Sequence, residues 1–99
     1  MRLAVAVYKQ FEHCKDYSFR NQICRTVVSI SNNIAEGYER QTNKEFKHFL
    51  FIAKGSCGEV RSMIHLAYSL QYISNQNYTS LHNDAEEISK ILSGFIKTL

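Results

Sequence analysis

The residue types that could do chemistry in this chain sit in two runs. One is Ser29-Ile-Ser-Asn-Asn-Ile-Ala-Glu-Gly37; the other is Gly55-Ser56-Cys57-Gly58-Glu59. The glycines, serine and cysteine of Gly55–Glu59 suggest a phosphate loop or a nucleophile elbow. A phosphate loop needs its glycines in a turn ahead of a helix, usually followed by Lys-Ser/Thr. A nucleophile elbow needs a strand-to-helix turn. Here apolar residues continue at helical spacing on both sides, so the segment reads as helix interior. Two glycines there cost about 1 kcal/mol each against alanine, which close approach of a neighbouring helix would offset. Glu59 falls on the helical wheel between Ile52 and Leu70 on one side and Leu66 on the other, inside an apolar arc. A buried carboxylate must be paired, hydrogen-bonded or protonated. The expectation is a structural polar network of Ser29, Asn33, Glu36, Ser56 and Glu59, within the bundle or across a subunit interface.

Metal and catalytic readings find little support. A ferritin-like centre needs Glu-x-x-His on two helices, and neither Glu36 nor Glu59 has a histidine three residues on. His13, His48, His65 and His82 are scattered. Cys14, Cys24 and Cys57 are odd in number and form no C-x-x-C pair, which argues against a disulfide framework or a zinc knuckle. No nucleophile–base pair is evident. The expectation is a non-enzyme with no cofactor and no metal.

Basic residues make the other pattern. Lys47, Lys54 and Arg61 are seven apart on one predicted helix, with His65 beside them, Lys44 towards the helix start and Phe51 nearby. From Lys47 to Arg61 the stripe spans about 21 Å at 1.5 Å per residue. It is either a solvated face or a row of phosphate contacts, with Phe51 as a stacking surface. Residues 1–54 hold nine Lys/Arg against five acids, and residues 55–99 hold three against four. The asymmetry permits a polyanionic partner without requiring one.

These residues need a scaffold, and 99 residues suit a single domain, 1–99, with one core. There is no proline, and only four glycines break the chain; a β-sandwich would need many more turns. Apolar periodicity predicts helices over about 2–14, 19–40, 43–72 and 78–98. Leu3, Val7, Phe11 and Cys14 share a face of the first; Ile23, Val27, Ile30, Ile34 and Tyr38 a face of the second. Phe46, Leu50, Ala53, Cys57, Val60, Ile64 and Ala67 form a heptad seam on the third. Its apolar arc exceeds a third of the circumference, wide enough for two or three helices or a neighbouring subunit. Leu81, Ala85, Ile88, Leu92, Phe95 and Leu99 follow on the fourth. Ser18 is the expected N-cap of the second helix, Thr42-Asn43-Lys44-Glu45 is a capping-box pattern for the third, and Ser74–Asn77 reads as a polar connection. Gly37 marks the expected C-terminal fraying of the second helix. Short connections make the fold class all-α, an antiparallel up-down-up-down four-helix bundle. No apolar run approaches the ~18 residues of a membrane span, so the cytoplasm is the expected compartment.

Ser29-Ile30-x-x-Asn33-Ile34-Ala35-Glu36-Gly37, then Arg40, then Glu45-Phe46-x-x-Phe49-Leu50-x-Ile52-Ala53-x-Gly55-Ser56-x-x-Glu59 resembles one bacterial family closely. It is the four-helix-bundle family of the 23S rRNA intervening-sequence protein. Gln22-Ile23-x-Arg25 upstream and Ala67-x-x-Leu70-x-Tyr72-Ile73 downstream are similar to its pattern, so the match covers about residues 3–98. Ser31 stands where the family usually has proline, and the first helix is unusually short. The resemblance implies an antiparallel bundle assembled as a homopentamer, with no catalytic residues. It also suggests distant kinship with accessory proteins of diversity-generating retroelements, whose basic pentamers bind nucleic acid and a reverse transcriptase. The expected function is a self-associating bundle that binds RNA or DNA, with Arg25, Arg40, Lys44, Lys47, Lys54 and Arg61 as phosphate contacts. The alternative is a structural or protein-binding oligomer whose charged faces are solvation only.

Overall fold

The computed structural model describes all 99 residues, in four helices and no strands. They are α1 (Arg2–Phe11), α2 (Tyr17–Tyr38), α3 (Asn43–Ser69) and α4 (Asn75–Lys97). Neighbours in sequence pack against each other, α4 closes back onto α1, and α1 and α3 lie across the diagonal from one another. The result is the expected up-down-up-down bundle. Its long axis of 43 Å matches the roughly 40 Å that 27 residues of α3 span at 1.5 Å each.

Side-chain caps start α2, α3 and α4, while α1 begins at Met1 without one. Asp16, rather than Ser18, caps α2 by accepting from the Phe19 N–H at 3.1 Å. Thr42 Oγ1 accepts from Glu45 N at 3.1 Å, as its capping pattern predicts. Ser74 Oγ accepts from Asn77 N at 3.1 Å. The polar run Ser74–Asn77 is therefore the cap and first turn of α4, and not a connection. At the far end of α3, Gln71 takes a left-handed φ of 63°. That lets the Tyr72 N–H reach back to Ala67 O at 2.8 Å, closing the helix in a Schellman-like turn.

The core follows the predicted seams with instructive exceptions. Leu3, Val7 and Phe11 of α1, Ile23, Val27 and Ile30 of α2, and Leu50 through Ala67 of the α3 seam are buried. So are Leu81, Ala85, Leu92 and Ile96 of α4. Tyr38 is 74% exposed and Phe95 is also exposed. Both lie at the end of the bundle that α1 does not reach. The ten residues of α1 cover only about 15 Å, and Arg2 already lies opposite Asp84, its guanidinium 3.4 Å from that carboxylate. Beyond that level α2, α3 and α4 pack as three helices, with Phe46 holding Tyr38 and Phe95 edge-on at 5.9 and 5.4 Å.

Candidate functional site

The predicted five-residue polar network resolves into smaller pieces. Ser29 of α2 and Ser56 of α3 meet, their hydroxyl oxygens 2.7 Å apart. Ser29 Oγ also lies 2.7 Å from Thr26 O. One hydroxyl carries one proton, so donation by Ser29 to Thr26 O leaves Ser56 to donate to Ser29. Asn33 turns back on its own helix, its Nδ2 donating to Ser29 O at 2.7 Å. Glu36 pairs with Arg40 one turn on, and the Arg40 guanidinium sits over the Phe49 ring at 4.7 Å. This ties the end of α2 to α3.

Glu59 does not join them. It is exposed and has neither an ion-pair nor a hydrogen-bond partner. The reason is visible in its neighbours: Ile52, Leu66 and Leu70 are 40%, 48% and 47% exposed. The apolar arc of α3 is wider than the bundle buries, and Glu59 lies in its unburied part.

The glycines also exchange roles. A Cβ added at Gly55 or Gly58 would meet nothing within 4 Å, so no helix approaches them closely in the bundle. Gly37, expected only to fray, is buried. A Cβ there would lie 2.8 Å from Phe49 Cβ, 2.9 Å from Phe46 Cδ1 and 3.3 Å from Phe46 O. Gly37 is a point of close approach between α2 and α3.

Of the six predicted phosphate contacts, three form a set. Lys47, Lys54 and Arg61 are half-buried on the edge of α3 next to α4, and none has a carboxylate within 4 Å. Half-burial of a long cationic side chain is the usual result of an apolar stem covering the protein while the charged end stays hydrated. Lys44 is exposed at the start of α3, in a shallow depression with Arg40 and His48. Arg40 is held by Glu36 and Phe49. Arg25 lies elsewhere, in an open groove of about 840 Å³ between α1 and α2 that Tyr8, Glu12, Arg20 and Cys24 also line.

Sequence reasoning passed over an aromatic and histidine cluster at the other end of the stripe. Tyr68 and Tyr78 stack with centroids 4.7 Å apart and planes at 26°. His82 lies 5.5 Å from Tyr78, ring to ring. His65 approaches from α3, its Nδ1 3.4 Å from the Tyr78 hydroxyl. One signal was available: Tyr68 follows Arg61 by seven residues and extends the series Lys47, Lys54, Arg61.

No three His, Cys, Asp or Glu side chains converge as metal ligands. The three cysteines are free thiols. Cys57 donates its S–H to Ala85 O at 3.0 Å. Burial pushes the Cys57 thiol up, with Arg61 offsetting part of the effect, and burial does the same to Cys24 against Arg20. Such thiols hold less of the reactive thiolate. No helix is long and apolar enough to cross a membrane.

The model of the family described as 23S rRNA-intervening sequence protein matches residues 1–94. Among solved structures, the chain is similar to a protein of unknown function from the S23 ribosomal protein family of Bacteroides thetaiotaomicron VPI-5482. The two are 32% identical and superpose with a TM-score of 0.91, over 97% of this chain and 93% of that one. No curated protein matches the chain. With nearly the whole chain inside the family model and a close structural relative at that identity, this protein belongs to the 23S rRNA-intervening sequence protein family.

Proposed function

We propose that this protein is a non-enzymatic, cytoplasmic, self-associating bundle that binds nucleic acid through the α4-side edge of α3. The observation that carries the reading is the row Lys47, Lys54 and Arg61: three cations at seven-residue intervals, none neutralised by a carboxylate. An evenly spaced row without counter-charges on the protein suits a polyanion, whose counterions it would displace. Self-association is supported by the other edge of α3. There Ile52, Leu66 and Leu70 are each at least 40% exposed, more apolar surface along one line than a solitary helix edge needs. The homopentamer implied by the family resemblance would repeat the cationic row around a ring, and simultaneous engagement would raise affinity without new contacts.

Binding of RNA and DNA oligonucleotides across a salt series tests this. Three phosphate contacts on a single strand predict log affinity falling with log salt at a slope of about −2 per engaged copy. Lys47→Glu with Lys54→Glu should remove the binding while leaving helicity and melting temperature in place. No detectable binding at low salt would overturn the reading and leave a structural or protein-binding oligomer.

A further inference from the structure

The cationic row ends on aromatic rings. Tyr68 is the next heptad position after Arg61, so Lys47, Lys54, Arg61 and Tyr68 form one line along α3, about 32 Å long at 1.5 Å per residue. Tyr68 is 39% exposed. One face of its ring is taken by Tyr78, stacked at 4.7 Å, which leaves the exposure to the other face and the edge. Tyr78 is itself half-buried and braced by His65 and His82. The platform is therefore built from two helices and held before any ligand arrives. Glu86, one turn beyond His82, is engaged by His82 at 3.7 Å and Lys90 at 3.9 Å.

A row of cations about 10 Å apart, leading to a braced, partly exposed aromatic face, is an arrangement suited to single strands. The backbone follows the charges, and a base, free of a pairing partner, stacks on the ring. A duplex offers its phosphates to the same row but keeps its bases stacked inside, out of reach of Tyr68. We infer that the Tyr68–Tyr78 platform is a base-stacking subsite, and that the ligand of this edge is single-stranded nucleic acid. This rests on the nucleic-acid reading above and specifies its ligand. Stacking is indifferent to the sugar, so RNA and DNA single strands share this chemistry.

The test uses the full chain with four probes of equal length: oligouridylate, oligothymidylate, an abasic phosphodiester and a duplex. The chain has no tryptophan, so Tyr68→Trp places one fluorophore at the subsite. Its emission should be quenched by the base-bearing strands and not by the abasic one. Tyr68→Ala should weaken the base-bearing strands about 5- to 150-fold, leave the abasic probe unchanged and keep the salt slope. Tyr68→Phe should restore the affinity. The uridylate and thymidylate arms show which strand chemistry binds more tightly. Equal binding of abasic and base-bearing strands, or tighter binding of the duplex, would overturn the subsite while leaving the cationic row standing. Failure of every probe at low salt would remove the nucleic-acid reading and this inference with it. Melting temperatures and helicity of the variants, matched to the parent, separate loss of stacking from loss of fold.

Discussion

Gly37 is where a single methyl group should do the most damage. Alanine is the better helix former by about 1 kcal/mol, so on propensity alone Gly37→Ala would stabilise α2. The packing opposes it. The new Cβ would stand 2.8 Å from Phe49 Cβ and 3.3 Å from Phe46 O. Both atoms are fixed to the α3 backbone, so relief requires the two helices to separate rather than a side chain to rotate. Overpacking of this kind costs about 1–3 kcal/mol, and backbone-anchored contacts belong in the upper half of that range. The net loss is then about 1–2 kcal/mol. For a domain of this size it should lower the melting temperature by roughly 4–16 °C. Gly55→Ala is the internal control. It sits on the next helix, with nothing within 4 Å of its would-be Cβ. It should gain about 0.5–1 kcal/mol and melt roughly 2–8 °C higher. Far-ultraviolet circular dichroism of the two variants beside the parent reads both signs in one experiment. A Gly37→Ala variant as stable as the parent would refute the close approach of α2 and α3. A destabilised Gly55→Ala would refute the open surface assigned to that part of α3.

Ser56→Ala removes the hydroxyl that meets Ser29 and should cost about 0.5–1.5 kcal/mol in denaturant unfolding; in a double-mutant cycle with Ser29→Ala the two losses should not add, and strict additivity would mean the contact contributes nothing. Tyr72 donates to Asp16 Oδ2 at 2.7 Å, tying the end of α3 to the start of α2. That bond, and secondarily the Phe19 N–H, holds the Asp16 carboxyl below its usual 3.8. The stabilisation is thus present above that value and lost as pH falls through the lowered one. The same bond raises the Tyr72 phenol above 10.0, so its contribution is complete below pH 10 and is lost as pH rises through the raised value. Tyr72→Phe should therefore flatten the alkaline loss of stability and blunt the acid one. Parent and variant declining in parallel above pH 10 would refute the link. On the self-association proposed above, Leu66→Gln with Leu70→Gln should lower the solution mass by sedimentation while leaving the helicity of the bundle unchanged; a parent of monomer mass would refute the self-association, and an unaltered oligomer mass would place its surface elsewhere.

Periodicity carried the sequence reading as far as the buried seams, because burial repeats with the helix and leaves its mark on every turn. Leu50, Ala53, Cys57, Val60, Ile64 and Ala67 were legible for that reason. Caps were legible where their pattern is distinctive, as at Thr42. They were missed where the same polar residues also suit a loop, as at Ser74 and Asp16. The differences at the candidate site share one cause. A helical wheel gives the direction of each side chain but not which directions are occupied by a neighbour. Glu59 was placed correctly among Ile52, Leu66 and Leu70, and that whole sector faces outward. Gly37 lies on the buried side of α2, but only the position of Phe46 and Phe49 shows that a methyl group would not fit. The Tyr68–Tyr78 stack joins two helices through residues ten apart in sequence, and its partner choice depends on how α4 sits against α3. That is a tertiary fact with no local signature.

The two exposed edges of α3 have different chemistry for a physical reason. The core occupies the middle of its circumference, from Ser56 round to Leu50. At about 100° per residue, Lys47, Lys54 and Arg61 then fall on one flank, and Ile52, Leu66 and Leu70 roughly 140° away on the other. A cation beside an apolar assembly surface would have to be desolvated whenever two copies met, at several kcal/mol per unpaired charge. Keeping the cations on the α4 edge avoids that penalty and, on the nucleic-acid reading proposed above, would leave them hydrated until a phosphate displaced the water. On the α2 edge, only Glu59 interrupts the apolar line. A copy docking there must either leave its carboxylate at the rim or bring a donor to it. Arg25, in the groove between α1 and α2 and without a carboxylate partner, is a cation that an adjoining copy could supply. If copies meet on this edge as proposed, the acid that finds no partner inside the bundle would select the register in which they dock.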